Sequence, residues 1–178
     1  DDFEKILATF DETKFTELRN KVTVMMLYET GARVSELVNL NISDLENNSA
    51  IIRTRKTVNE RVIMWSEKTQ KLFLNYLGVR ICLNSQDSIF VTLQAKKNRI
   101  TTRQVERVIE QACKNAGLTK NLTPHSFRHG KAHKMLRQGA NVKEIQVTLG
   151  HSEDNPRASF QYIRLDQTEQ KNILKKYI

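Results

Sequence analysis

Arg33, Lys56, His125, Arg128, His151 and Tyr162 are the side chains of this 178-residue sequence whose types could act together on one reaction. Two guanidiniums, Arg33 and Arg128, could grip an oxyanion through planar paired donors. His125 precedes Arg128 by three residues, so on a helix both would face the same cleft. Imidazole is the side chain best matched to proton transfer near neutral pH. The hydroxyl of Tyr162 is a nucleophile only with help, because at a pKa of about 10 only about one in a thousand is ionised at pH 7. Taken singly, each feature is ordinary: an arginine past a helix end is usually a surface group, a lone histidine is usually structural, and a tyrosine near a C-terminus usually packs.

The elements that must position these residues are largely helical. Phe15, Leu18, Val22, Met25 and Met26 recur at steps of three and four, which predicts an amphipathic helix over Lys14 to Glu29 that Gly31 can end. Arg33 then sits just past a helix end, and Arg33 to Leu40 reads as a short second helix burying Leu37 and Leu40. Ala50-Ile51-Ile52 and Arg61-Val62-Ile63-Met64-Trp65 are β-prone runs joined by a polar segment, a hairpin-like arrangement with Lys56 at or near its turn. Ser66 could cap a helix through Leu77, and Ile89-Phe90-Val91 could add a short strand. Thr101 or Thr102 could cap a helix running to Gly117, Pro124 opens a helix to about Gly139, and Asn141 caps one to Leu149. The tail from Asp166 to Ile178 places Ile173, Leu174 and Tyr177 on one helical face. The expected fold is α+β, mainly α-helical, with a small antiparallel sheet and no internal repeat or flexible linker, so residues 1–178 read as one domain.

Composition favours a polyanionic partner. The 29 Lys and Arg against 20 Asp and Glu give a formal net charge of +9, and a basic surface of this kind suits nucleic acid. Arg53, Arg55, Lys96, Lys97, Arg99, Arg103 and Arg107 fall in loops, strand ends and a helix start, where they could track DNA phosphates. No apolar run approaches the ~20 residues of a membrane span. The opening Asp1-Asp2-Phe3-Glu4 is acidic, unlike the basic start of a signal peptide. The expectation is a soluble, cytoplasmic protein without membrane contact. Cys82 and Cys113 lack paired spacing and read as reduced, structural thiols.

In order along the chain, Thr30-Gly31-Ala32-Arg33-Val34-Ser35-Glu36-Leu37, Lys56, Pro124-His125-Ser126-Phe127-Arg128-His129, Leu149-Gly150-His151 and Tyr162 resemble the tyrosine recombinases of the phage-integrase and Xer-like type. The resemblance covers roughly Gly31 to Asp166. It implies the recombinase catalytic fold, with Arg33 and Arg128 holding a phosphate, His125 as base or hydrogen-bond partner, Lys56 as general acid, His151 supporting the phosphate, and Tyr162 as nucleophile. It further implies double-stranded DNA as substrate, a tetramer on DNA joined through the C-terminal helix, no cofactor or metal, and an N-terminal DNA-clamping domain outside these residues.

Two alternatives stay open at this stage. Tyr162 lies eleven residues past His151, whereas the family spacing points to the position of Phe160. Either Glu153 to Pro156 holds an insertion and Tyr162 is the nucleophile, or the true position is Phe160 and the chain is an inactive DNA-binding module. A type IB topoisomerase shares the chemistry. His125, His129 and His133 also recur at four-residue steps, a stripe on which a metal is conceivable, although no acidic or cysteine partner accompanies them.

Overall fold

The computed structural model describes residues 2–53, 60–80, 87–93 and 98–150. Among the described residues the helices are α1 (Asp2–Leu7), α2 (Phe15–Thr30), α3 (Val34–Val38), α4 (Glu67–Val79), α5 (Thr102–Asn115), α6 (Pro124–Arg137) and α7 (Val142–Leu149). The strands β1 (Leu45–Glu46), β2 (Ser49–Arg53) and β3 (Glu60–Met64) form one antiparallel sheet with β2 in the centre. The fold is mainly helical with a small sheet, as the sequence predicts.

The centre of the molecule is α2. Its periodicity predicts one apolar face, yet Val22, Val24, Met25, Met26 and Leu27 are all buried. A helix apolar on every side belongs inside a core, and α4, α5 and α6 pack around it. Phe3 of α1 stacks on Tyr28 of α2 with ring centroids 3.7 Å apart, and Phe127 of α6 meets both rings edge-on at 6.0 and 6.3 Å. This aromatic cluster locks α6 against α2, and so fixes His125 and Arg128 relative to the end of α2.

The caps expected at Ser66, Thr101 and Asn141 are present, and Thr123 supplies one that was not expected. Ser66, Thr101 and Thr123 accept hydrogen bonds from the backbone N–H groups of Thr69, Gln104 and Ser126, and Asn141 Oδ1 accepts from Glu144 N–H at 2.9 Å. Each relieves an otherwise unpaired donor in a first turn. A second, smaller core of Ala132, Ile145 and Leu149 joins α6 to α7.

In the sheet, Ala50 lies opposite Ile63 and Arg53 opposite Glu60. Alternation turns Ile63 inward and leaves Val62 and Met64 exposed, which puts Arg61 on the inward face. Strand β1 was not expected, being too short to show a period. The strand expected at Ile89-Phe90-Val91 is not formed. These residues are buried, but their backbone groups pair with loops and a side chain: Ile89 N–H donates to Leu40 O at 3.1 Å, Ile100 N–H to Phe90 O at 3.0 Å, and Tyr76 Oη–H to Ile89 O at 2.9 Å. Among the described residues, two isolated bridges, Asn41 to Ser88 and Val91 to Arg99, stand here in place of a ladder. Cys113 is a buried free thiol; Cys82 and the tail helix expected from Asp166 lie outside the described residues. Among the described residues no helix is long and apolar enough to cross a membrane.

Candidate active site

The site begins where α2 stops. Gly31 closes the helix in the left-handed region with φ 63°, its N–H donating to Leu27 O at 3.0 Å. A Cβ there would lie 2.8 Å from Leu149 Cδ2 and 3.1 Å from Lys131 Cβ, so both conformation and space call for glycine. That close approach brings α6 and the end of α7 onto the turn leading to Arg33.

Arg33 is the N-cap residue of α3. Its side chain is 46% exposed, and its Nη1 donates to Glu36 Oε1 at 2.8 Å while its backbone N–H donates to Glu36 Oε2 at 2.8 Å. Burial works to raise the pKa of Glu36, but Arg61 beside it and the hydrogen bonds from Arg33 outweigh that and hold the carboxyl below its usual range. Glu36 is therefore a carboxylate shared by two arginines, Arg33 and Arg61, the latter in close contact with Oε2.

Arg128 is 3% exposed on α6. Its Nη1 donates to Gly31 O at 2.8 Å and its Nη2 to Leu149 O at 2.5 Å. His125, in the first turn of the same helix, is exposed. A groove of about 450 Å³ has Arg33, His125 and Arg128 in its lining, along with Ala32, Thr123 and Pro124. Three of the six side chains expected to act together thus share one groove; Lys56, His151 and Tyr162 lie outside the described residues.

The C-terminal end of α7 binds these elements together. Thr148 O accepts from Arg61 Nη1 at 2.7 Å, Leu149 O from Arg128 Nη2, and Gly150 O from Arg33 Nη1 at 3.4 Å. Three successive carbonyls at a helix C-terminus each face a different guanidinium. Such carbonyls lack partners in the helix and carry the negative end of its dipole, so cations are favoured there. The residue that follows this end is His151.

The histidine stripe holds a contact of its own. His125 Nε2 and His129 Nε2 are 2.8 Å apart, one ring donating and the other accepting, with the ring planes at 88°. Burial lowers the pKa of His129, and the nearby His125, His133 and Arg128 lower it further.

The expected phosphate contacts divide by environment. Arg103 and Arg107 are exposed on α5. Arg53 pairs with Asp44 and Glu60, and Arg99 donates to Val38 O at 2.6 Å, Leu40 O at 3.1 Å and Asn41 Oδ1 at 2.6 Å. Arg99 braces the chain after α3. Arg55, Lys96 and Lys97 lie outside the described residues. Sequence reasoning gave no role to Glu36 or Arg61. The signal for Arg61 was available, because a charged residue at an inward strand position must find a partner.

Residues 1–169 match the Phage integrase family. The chain belongs to that family. It is 34% identical over 158 residues to tyrosine recombinase XerC of Thermodesulfovibrio yellowstonii, a match covering 85% of this chain and 52% of that protein. Among solved structures it resembles the XerA recombinase at 28% identity and a TM-score of 0.80, covering 99% of this chain and 61% of that one. The XerH site-specific recombinase in a pre-cleavage complex with its difH substrate shares the fold, with a TM-score of 0.74 at 22% identity over 97% of this chain and 50% of that one. This integrase-family chain spans about half the length of the curated relative it matches.

Proposed function

We propose that residues 1–178 are the catalytic domain of a site-specific tyrosine recombinase that cleaves and rejoins double-stranded DNA through a covalent 3′-phosphotyrosine on Tyr162, without metal or ATP. The observation that supports it most is the groove lined together by Arg33, His125 and Arg128, in a chain of the integrase family.

In this reading Tyr162 Oη attacks the scissile phosphorus in line. The Oη–P bond forms, the P–O5′ bond breaks, the tyrosine proton passes to His125, and Lys56 gives a proton to the leaving 5′ oxygen. Arg33 and Arg128 hold the non-bridging oxygens as their charge grows, a task on which each donor is worth about 10²–10³ in rate. His151 donates to the same phosphate. A 5′ hydroxyl from another strand reverses the step, because the phosphotyrosine conserves the bond energy. The buried Arg128, held by Gly31 O and Leu149 O, supplies a fixed guanidinium plane, while the exposed Arg33 can meet the phosphate as DNA arrives. Exposed Arg103 and Arg107 contact flanking phosphates, and the tail from Asp166 joins protomers into a tetramer.

A duplex nicked just past the scissile phosphate tests this, since the cleaved fragment diffuses away and traps the adduct. A protein–DNA band that survives denaturation and EDTA is expected. DNA binding with no such band would overturn the proposal in favour of an inactive module.

A further inference from the structure

Arg61 lies outside the residues that would touch the phosphate, yet it contacts two of the elements that carry them. It sits on β3, the strand that follows the segment holding Lys56, and its side chain is only 12% exposed. One end of its guanidinium pairs with Glu36, whose other oxygen holds Arg33 Nη1 at 2.8 Å. The other end donates to Thr148 O at 2.7 Å. Gly150 lies directly over it: a Cβ at that position would be 2.6 Å from Arg61 Cδ and would run into Nε.

A buried arginine with a single structural duty would need only one carboxylate. Here the guanidinium spans from α3 to the end of α7, and both contacts lead to residues proposed to act on the phosphate: through Glu36 to Arg33, and through Thr148 and Gly150 to His151. Glu36 Oε2 is shared by Arg61 and the Arg33 backbone N–H at 2.8 Å, while Oε1 holds Arg33 Nη1, so losing Arg61 would take one of the two donors from Oε2 and loosen the carboxylate that orients Arg33. Burial lowers the pKa of Arg61, and Glu36 opposes that by favouring the charged form, so the pair is held as ions in a low-dielectric setting where geometry is strongly enforced.

We propose that Arg61 is a positioning residue of the recombination site, aligning Arg33 through their shared Glu36 while fixing the α7 end that leads into His151. This rests on the proposed recombinase function and adds to it a residue that never meets DNA. A misplacement of about 1 Å in such a site can cost about 10²-fold in rate.

The test compares two nicked duplexes, one with the natural scissile phosphate and one with a neutral methylphosphonate there, in which a methyl group replaces a non-bridging oxygen. Arg61→Met and Arg61→Lys full-chain proteins are assayed beside wild type for DNA affinity and adduct rate. Arg61→Met should lose about tenfold or more in rate on the phosphate with DNA affinity kept. Its ratio to wild type should recover most of that loss on the methylphosphonate, where the charge that Arg33 is placed to hold is reduced. Arg61→Lys keeps the cation beside Glu36 and serves if Arg61→Met unfolds; it should fall between, with the same partial recovery. Equal losses on both duplexes, or a rate loss matched by lost DNA affinity, would overturn the proposal. Whether wild type forms any adduct is a separate reading of the same gels, and it judges the recombinase assignment alone.

Discussion

His125 and His129 face each other through their Nε2 atoms at 2.8 Å, one turn apart on α6. Burial already lowers the pKa of His129, with His125, His133 and Arg128 adding to the effect. A histidine whose folded pKa lies below its unfolded value binds fewer protons when folded, so stability is complete above about pH 6.5 and falls as pH drops from there toward the folded pKa. The thermal midpoint should therefore decline as pH falls below about 6.5, and His129→Gln should flatten that decline. An unchanged slope in the variant would show that other groups carry it.

Arg33 and Arg128 should separate when stability and cleavage are measured together. Arg33 is half exposed and Arg128 is buried on two backbone carbonyls. Both alanine variants should lose about 10²–10³ in adduct rate and keep most DNA affinity. Only Arg128→Ala should also lower unfolding free energy substantially, by about 1.5–3 kcal/mol for its charged hydrogen bonds. Equal stabilities would contradict the bracing of Gly31 and Leu149 by Arg128.

Much of this framework is legible in the sequence because it depends on local rules. Gly31 ending α2, and Ser66, Thr101 and Asn141 capping their helices, follow from which residues can pair the free donors of a first turn or adopt a left-handed φ. The meeting of Arg33, His125 and Arg128 was legible only through motif order, since nothing local says that α6 returns to the end of α2. Arg99 illustrates what is hidden. A loop arginine among basic neighbours reads as a phosphate contact, and only the folded chain shows the carbonyls of Val38 and Leu40 placed to receive it. The strand expected at Ile89 to Val91 failed for a similar reason, because burial favours apolar β-branched and aromatic residues whether or not a ladder partner is present.

Gly150 and Gly117 have nearly the same φ, 65° and 68°, but different surroundings. A Cβ on Gly117 meets nothing within 4 Å, whereas one on Gly150 meets Arg61. Gly117→Ala should cost about 1–2 kcal/mol for its left-handed conformation alone. Gly150→Ala should cost more and slow adduct formation as well, by moving Arg61 and the approach to His151. Similar costs in unfolding titrations, with cleavage intact in both, would refute the close packing at Gly150.

The basic residues can be sorted by salt dependence. Exposed Arg103 should contribute to the slope of log K against log salt, with Arg103→Ala reducing it by about 0.9. Arg99→Ala should leave the slope nearly unchanged and lower the thermal midpoint, because its guanidinium holds the chain after α3. A reversed pattern would mean that Arg99 leaves its carbonyls to bind DNA.

Whether Tyr162 becomes joined to DNA is read directly by peptide mapping of the adduct trapped on the nicked duplex. A single modified peptide with the nucleotide on Tyr162 is expected, and a Tyr162→Phe protein should bind DNA as tightly as wild type while forming no adduct. An adduct on another residue, an adduct that persists in Tyr162→Phe, or one that emerges only after Phe160→Tyr would contradict it.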